Sequence, residues 1–363
     1  MSKLLDLARP ELRTVRPYTP GAWEPGLIRL NANESPWRTP GDSSERGLNI
    51  YPPPRPTTLT AKLGSYYGID DRQLLVTRGS SEAIDVLIRG FCTAYRDGIL
   101  MTPPSFDMYR LYAGIQGADI RRAPLLRDRD FALDVSKVLE SIDETTKIVF
   151  ICSPNNPTGN SIVRADVETV CRETQGRALV VIDEAYHEFA SVPDFLELRN
   201  RYEHVVLLRT LSKFVSLAGV RCGLLIADPA LIEFAQGVLP PYTFPTPSIE
   251  LVLQALSKDS LRVSRERVAT IKRERARLSA ALNDVPRVVK VFPSDANFVL
   301  VQTVNGPEFR ETARRAGVLV RTFDDPLLVN CVRITVGRPE DNDRLLTAVS
   351  GAAADFPERR RDA

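Results

Sequence analysis

Short apolar runs alternate with longer amphipathic stretches through the middle of the chain. Six runs have strand length and little polar alternation, which is typical of strands buried on both faces of a sheet: 74–76, 99–101, 148–152, 179–182, 205–208 and 224–227. Helical segments lie between them, such as 81–93, where Ile84, Leu87, Ile88 and Phe91 recur at helical spacing. Strands that alternate with helices predict an α/β fold with a largely parallel sheet covered on both faces.

Both ends of the chain depart from this pattern. Residues 1–55 are rich in proline and turn formers, which predicts an extended arm that joins part of a smaller domain. Residues 56–244 are then the large domain, and 245–354 a small α+β domain that begins with a long charged helix. Three apolar runs are the predicted strands of this small domain: 297–301, 318–320 and 332–335. The arginine-rich segment 355–363 is predicted to be a solvated tail.

Composition and charge narrow the classes of function. The 48 basic and 46 acidic residues nearly cancel, so no global field favours nucleic acid or an anionic membrane. The sequence has no apolar run of membrane-spanning length and no signal-peptide core near its first residue. Its five cysteines are scattered without a Cys-x-x-Cys pair, which is typical of buried thiols in a reducing compartment. We therefore expect a cytoplasmic enzyme that binds neither nucleic acid nor membrane.

The sequence has few residues for catalysis or metal binding by histidine. The only histidines are His187 and His204, and neither has a histidine or cysteine three or four residues away. Metal catalysis and a histidine-based triad are therefore disfavoured, and no metal site is expected.

Polar residues stand just after several apolar runs, where an open α/β sheet gathers its ligand groups. Ser80 and Ser81 begin a helix, so their backbone amides can face a phosphate, although serine is also a common helix cap. Asp183 ends a buried strand and needs a partner. That partner could be a protonated pyridine nitrogen, the free amides of a helix that Asp183 caps, or a metal ion. Lys213 follows another strand in an apolar setting, where a lysine loses its charge easily and becomes a nucleophile.

Further donors flank these positions. Ser212 and Arg221 supply a neutral donor and a fork-shaped cation, which together with the serine amides would complete a phosphate cup. Asn156 lies in a Ser-Pro-Asn-Asn-Pro turn after the run 148–152. That turn is either a plain tight loop or a means of holding an amide that donates to a phenolic oxygen.

In their order along the chain, these segments resemble the aspartate aminotransferase superfamily of fold type I, and within it the histidinol-phosphate aminotransferases. The resemblance runs from the Leu-Asn-Ala-Asn-Glu motif at 30–34 to the Arg-Ile-Thr-Val-Gly motif at 333–337. It implies a large domain with a mostly parallel central sheet, a smaller α+β domain, and pyridoxal 5′-phosphate as the cofactor.

The resemblance also implies a role for each motif residue. Lys213 would hold the cofactor as a Schiff base and act as the catalytic acid and base, while Asp183 would pair with the pyridine nitrogen. The other implied cofactor contacts are Tyr51 from a second subunit, Ser80, Ser81, Phe106, Asn156, Tyr186, Ser212 and Arg221. Phe106 stands where relatives often carry a tyrosine stacked on the cofactor ring, and stacking survives that change. The implied substrate contacts are Tyr18, Asn33, Arg321 and Arg333.

The implied reaction moves the amino group of L-histidinol phosphate to 2-oxoglutarate in a ping-pong cycle, in a homodimer that serves histidine biosynthesis. Two alternatives stay open on this fold: a lyase resembling threonine-phosphate decarboxylase, and an aromatic amino acid aminotransferase. A relative that binds the cofactor without catalysis is a third, against which the intact Lys213, Asp183 and Tyr186 argue. A nucleotide-binding enzyme is disfavoured because the sequence has neither the dinucleotide glycine fingerprint nor a phosphate-loop motif.

Overall fold

The computed structural model describes residues 3–21 and 27–351, and within these ranges it contains a seven-stranded and a four-stranded sheet. The predicted tail at 355–363 lies outside the described residues. The strands are β1 (Leu74–Thr77), β2 (Gly98–Met101), β3 (Asp119–Arg122), β4 (Thr146–Cys152), β5 (Leu179–Asp183), β6 (Val205–Thr210), β7 (Gly223–Ile226), β8 (Val288–Val291), β9 (Phe298–Thr303), β10 (Arg321–Thr322) and β11 (Cys331–Thr335). The helices are α1 (Thr57–Tyr67), α2 (Ser80–Phe91), α3 (Met108–Gln116), α4 (Val135–Glu140), α5 (Arg164–Glu173), α6 (Leu196–Arg201), α7 (Pro229–Val238), α8 (Thr246–Ala255), α9 (Lys258–Asn283), α10 (Gly306–Arg315) and α11 (Pro339–Val349).

The large sheet has the strand order β1-β7-β6-β5-β4-β2-β3. Strands β6, β5, β4, β2 and β3 are parallel to one another, whereas β7 is antiparallel to both of its neighbours. The reversal follows from the short connection between β6 and β7, which contains no crossover helix. The two strands therefore pair as neighbours in opposite directions, with Thr210 opposite Gly223. The prediction of a largely parallel sheet is confirmed, with β7 as its exception.

Burial on both faces explains the apolar runs. In β5, Val180 and Ile182 join the core beneath one face of the sheet, while Leu179 and Val181 join the core beneath the other. Helices α1, α5 and α8 contribute to the first core, and α2, α3 and α7 contribute to the second. A strand that faces two cores has no polar face, so its sequence shows no alternation.

The small sheet is antiparallel, with the order β10-β11-β9-β8. The predicted strands at 297–301 and 332–335 correspond to β9 and β11. The strand predicted at 318–320 is wrong: Val318 and Val320 instead pack as partly buried side chains against the core of the small domain, and the nearby strand is the two-residue β10. Strands β3 and β8 were not predicted, because their residues are polar or partly exposed and do not form a buried apolar run.

Most of the described part of the N-terminal arm has no regular helix or strand beyond two short 3-10 turns, Lys3–Leu7 and Pro10–Leu12. The first turn anchors the arm, since Leu4 and Ala8 are buried in the second core. All five cysteines are buried and unpaired. Within the described ranges, every helix is too short or too polar to cross a lipid bilayer.

Candidate active site

A cavity of about 140 Å³ opens at the edge of the large sheet where β4, β5 and β6 end. Its lining comprises Ser80, Ser81, Phe106, Cys152, Asn156, Asp183, Ala185, Tyr186, Thr210, Ser212, Lys213 and Arg221. Parallel strands deliver their last residues to one edge of a sheet, which is why residues distant in sequence meet here. Every residue predicted to contact the cofactor lines this cavity, apart from Tyr51.

Asp183 is the last residue of β5, and its side chain is buried. Its Oδ1 accepts a hydrogen bond from the amide of Ala185 at 3.1 Å, and its Oδ2 accepts one from the hydroxyl of Tyr109 at 2.9 Å. Burial raises the pKa of Asp183 to about 6, these two donors oppose the rise, and no cation of the described residues contributes. A buried carboxylate without a cationic partner favours a ligand that brings a positive charge.

Lys213 lies just beyond β6, and its amine is close to Tyr186, with Nζ 5.9 Å from the centroid of that ring. Burial lowers the pKa of Lys213 below the ordinary lysine value, and the positive charges of Arg333 and Arg221 lower it further. A larger fraction of this amine is therefore neutral, which makes it a better nucleophile and a better base.

The start of α2 leaves its first amides available. Gly79 is the N-cap residue and provides no side-chain cap, while the Glu82 carboxylate reaches back to accept a hydrogen bond from the Arg78 amide at 2.7 Å. The amides of Ser80 and Ser81, in the first turn, have no intrahelical acceptor. Together with the positive end of the helix dipole, these free amides favour an anion at this end of α2.

Close backbone approach shapes the same end of the cavity. A Cβ atom on Gly223 would overlap the backbone of Gly79 and Ser80, and one on Gly79 would overlap the guanidinium of Arg221. Arg221 itself has a positive φ of 62°, a conformation that a non-glycine residue seldom adopts. The two glycines therefore allow the amides and the Arg221 cation to converge.

Hydroxyl and amide groups complete the wall. The Thr210 hydroxyl accepts a hydrogen bond from the Ser212 amide at 3.2 Å and lies 2.9 Å from the Ser212 hydroxyl. Elsewhere in the lining, Asn156 Nδ2 donates to the hydroxyl of Tyr186 at 3.4 Å. Asn156 Oδ1 accepts a hydrogen bond from Nη1 of Arg333, so an arginine of the small sheet reaches the cavity that the large sheet builds.

Four predicted residues lie elsewhere. Tyr18 and Tyr51 both contact the ring of Tyr242, with centroid distances of 5.9 and 4.8 Å, and each is about half exposed. Asn33 and Arg321 are exposed as well. Within this single chain, the structure does not bring these four side chains into the lining of the cavity.

Arg321 nevertheless has a direct structural link to the cavity. It is the register partner of Arg333 across β10 and β11, and both guanidinium groups lie 5.9 Å from the ring centroid of Phe323. Two like charges directly opposite each other destabilise a sheet unless an anion neutralises them. The pair therefore marks a place where an anion is favoured.

Sequence reasoning missed several lining or supporting residues. Cys152 and Thr210 end β4 and β6, so their place after an apolar run was an available signal. Tyr109 lies three residues after Phe106, a close position in the sequence that was an available signal. That spacing does not reveal that the Tyr109 hydroxyl bonds to Asp183.

Comparison with known proteins agrees with this geometry. Residues 28–349 match the family described as "Aminotransferase class I and II". Histidinol-phosphate aminotransferase of Xanthomonas campestris pv. campestris (strain B100) is 42% identical over 96% of this chain and 97% of its own length. The enzyme of the same name from Stenotrophomonas maltophilia (strain R551-3) is 41% identical over 97% and 98%.

Solved structures share the fold. The structure of histidinol-phosphate aminotransferase from Clostridium acetobutylicum has a TM-score of 0.75 at 24% identity and covers 84% of this chain and 90% of that one. An L-threonine-O-3-phosphate decarboxylase from Porphyromonas gingivalis has a TM-score of 0.70 at 21% identity, over 83% and 90%. Such distant structures establish the architecture alone, whereas the full-length sequence relatives establish the group. The chain therefore belongs to the class I and II aminotransferase family, in its histidinol-phosphate aminotransferase branch.

Proposed function

We propose that the chain transfers the amino group of L-histidinol phosphate to 2-oxoglutarate, forming 3-(imidazol-4-yl)-2-oxopropyl phosphate and L-glutamate in histidine biosynthesis. The chain is an aminotransferase that depends on pyridoxal 5′-phosphate. One observation carries the chemistry: Asp183, a buried carboxylate with no cationic partner among the described residues, shares a cavity with a lysine of lowered pKa, Lys213. The choice of donor rests on relatives that are 41–42% identical over nearly the whole chain.

The cavity fits the parts of pyridoxal phosphate one by one. The protonated ring nitrogen of the cofactor would be the cationic partner that the Asp183 carboxylate lacks among the described residues. The phosphate would lie at the Ser80 and Ser81 amides, beside Ser212 and Arg221, where the overlap at Gly79 and Gly223 allows no added side chain. When bound, the cofactor supplies a cationic ring that accepts electrons from the substrate carbon.

The remaining cofactor contacts concern the ring itself. Asn156 and Tyr186, already within hydrogen-bond distance of each other, would donate to its phenolic oxygen. Phe106 would cover one face of the ring. Its own ring is held edge-on to Tyr109 at a centroid distance of 5.8 Å, so the stacking surface is fixed before the cofactor binds.

Lys213 would act in two ways. It would hold the cofactor between turnovers, and during a turnover it would be present as a free amine. As a general base, its Nζ would take the proton from the donor carbon. As a general acid, it would then give that proton back to complete the transfer. The lowered pKa keeps this amine neutral for a larger part of the time, which both steps require.

Substrate binding would use the paired arginines. Arg333 would hold the anionic end of each substrate next to the ring, and Arg321, Tyr18 and Asn33 would surround the phosphate of the donor. A guanidinium binds both a phosphate and a carboxylate through parallel hydrogen bonds. The same residues would therefore serve the phosphorylated donor and the dicarboxylate acceptor in turn.

We also propose a homodimer in which Tyr51 of one copy contacts the cofactor phosphate in the other. The support is that Tyr51 and Tyr18 are about half exposed and lie outside the cavity of their own chain. Lys213→Ala and Tyr51→Ala subunits, each nearly inactive alone, should regain activity when they are mixed and allowed to exchange, because one site of each mixed dimer is intact. A mixture no more active than its components would contradict the shared site.

A cytoplasmic location is proposed as well, supported by the five unpaired cysteines.

A panel of amino donors with 2-oxoglutarate tests the substrate. The panel compares L-histidinol phosphate, L-phenylalanine, L-aspartate and L-threonine phosphate, with glutamate and carbon dioxide measured separately. We expect a kcat/KM for histidinol phosphate that exceeds those for phenylalanine and aspartate by roughly a hundredfold, because a site built for a phosphate leaves its cations unpaired with these phosphate-free donors. Preference for phenylalanine, or carbon dioxide release from threonine phosphate, would refute the substrate while leaving the cofactor in place.

A further inference from the structure

The hydroxyl of Tyr109 makes a contact with the cofactor site that the proposed reaction does not use. Tyr109 is the second residue of α3 and is fully buried. Its hydroxyl donates to Oδ2 of Asp183 at 2.9 Å, and it lies behind the cavity lining, not within it. Its hydroxyl therefore acts on the site through Asp183.

Aromatic packing fixes the position of this hydroxyl. The Tyr109 ring is stacked on Phe150 with a centroid distance of 4.5 Å and an interplanar angle of 9°. It also meets Phe106 edge-to-face at 5.8 Å and 87°. A ring held on two sides within a close-packed core has one position for its hydroxyl. Tyr109 is thus a rigid donor and not a side chain that happens to be near.

The direction of the hydrogen bond is also fixed. Burial and the Asp183 charge raise the pKa of Tyr109 well above its ordinary value, so the phenol keeps its proton and donates it. With the Ala185 amide on Oδ1, each carboxylate oxygen of Asp183 accepts one hydrogen bond. Each oxygen keeps lone-pair capacity for a further donor, such as a protonated ring nitrogen.

We propose that Tyr109 is a positioning residue, which holds the Asp183 carboxylate in its charged form and aims it at the ring nitrogen of the cofactor. This inference rests on the proposed pairing of Asp183 with pyridoxal phosphate. Because Tyr109 also packs against Phe106, one side chain links the group that pairs with the ring nitrogen to the group that stacks on the ring face.

Other titratable groups around Asp183 do not replace this donor. They are Cys152 at the end of β4, and Glu184 and Tyr186 beyond its own strand. Burial raises the pKa of Cys152 and of Tyr186 far above neutral, so both stay uncharged. Glu184 is paired with Arg209 at 2.8 Å and adds negative charge near Asp183, which opposes its ionisation. Tyr109 is therefore the side chain among the described residues that favours the ionised carboxylate.

Tyr109→Phe tests the proposal because it removes the hydroxyl and keeps the ring. The measurement is the dissociation constant of pyridoxal phosphate from the cofactor-free protein, by fluorescence, across a pH series, together with kcat/KM of the loaded enzyme. We expect affinity about tenfold weaker at neutral pH. The weakening at acid pH should begin at a higher pH than in the wild type, because Asp183 without its donor takes up a proton more readily. Tyr112→Phe, on the same helix, is the control and should leave both quantities unchanged.

A double-mutant comparison separates the two levels of the proposal. In an Asp183→Asn background, Tyr109→Phe should lose its effect on the pH dependence, since the amide that replaces the carboxylate does not titrate. If Tyr109→Phe behaves like Tyr112→Phe while Asp183→Asn weakens the cofactor, the positioning role is wrong and the proposed function stands. If Asp183→Asn itself leaves cofactor affinity unchanged, the pairing of Asp183 with the ring fails, and the role of Tyr109 fails with it.

Discussion

The cofactor cavity and the region proposed to bind the donor differ in how completely one chain builds them. The cavity is made of residues at the ends of buried strands, and its polar groups already contact one another, as Asn156 contacts both Tyr186 and Arg333. The donor region contains Tyr18, Asn33 and Arg321, which are exposed and lie outside that cavity. A buried sheet fixes its strand ends before any ligand arrives, whereas exposed side chains such as Tyr18 and Asn33 are not enclosed by the core of their own chain.

The largest expected effect is the loss of the central amine. Lys213→Ala should reduce turnover at least about a thousandfold, because the variant has neither the covalent attachment nor the proton-transferring group. The purified variant should also lack the yellow colour of covalently bound cofactor. Lys62→Ala, which removes an exposed lysine of α1, is the control and should keep both. Full activity in Lys213→Ala would disprove the mechanism.

The second prediction concerns the stability of the empty cavity. The pKa of Asp183 is raised to about 6 in the folded protein, above its value in the unfolded chain. The unfolded state therefore loses this proton at lower pH than the folded state does. As pH rises from about 4 to about 6, the folded state is progressively destabilised by the buried charge.

Asp183→Asn removes that cost. In urea unfolding of the cofactor-free protein, the variant should be more stable than the wild type by about 3 kcal/mol at about pH 8 and by roughly half of that at about pH 5. With pyridoxal phosphate added, the wild type should become more stable than Asp183→Asn, because the wild-type carboxylate then pairs with the cationic ring nitrogen. A stability difference that does not change with pH would mean that Asp183 is not an unpaired buried acid.

A third prediction tests the close approach at the phosphate end. Gly223→Ala should weaken pyridoxal phosphate binding by about tenfold or more, since its Cβ would displace the backbone of Gly79 and Ser80. Gly219→Ala is the matched control, because a Cβ there meets nothing within 4 Å. Equal cofactor affinities for the two variants, by titration of the cofactor-free protein, would contradict the assigned phosphate site.

The smallest expected effect belongs to the donor region. Arg321→Ala should raise KM for histidinol phosphate several-fold, by roughly 1 kcal/mol of binding, and leave cofactor affinity unchanged. Arg315→Ala, on the exposed side of α10, should change neither. Steady-state kinetics with cofactor titration gives both quantities. A loss of cofactor affinity in Arg321→Ala would show that the two regions are not separate.

The sequence predicts the cavity better than the donor region, and the reason is local. Asp183 and Lys213 follow four-residue apolar runs, 179–182 and 205–208, in a stretch where such runs alternate with helices, so the ends of two buried strands were foreseeable. Val318 and Val320 form an apolar run of the same kind, yet they pack from a loop, because so short a run carries no information on pairing. Tyr109 was missed because nothing in a helical pattern tells which buried aromatic ring places its hydroxyl on a carboxylate. The proposed contact of Tyr51 with the cofactor phosphate depends on a second copy of the chain, and the hydrophobic pattern of one chain does not specify how two copies associate.

A single-turnover experiment tests the central claim most directly. The protein is loaded with pyridoxal phosphate and mixed with L-histidinol phosphate, without 2-oxoglutarate, and the yellow absorption is followed together with product formation. We predict that the colour disappears as one equivalent of 3-(imidazol-4-yl)-2-oxopropyl phosphate forms per site, and that 2-oxoglutarate restores it with release of glutamate. Colour that persists with histidinol phosphate, or that disappears with phenylalanine at the same rate, would contradict the proposed reaction.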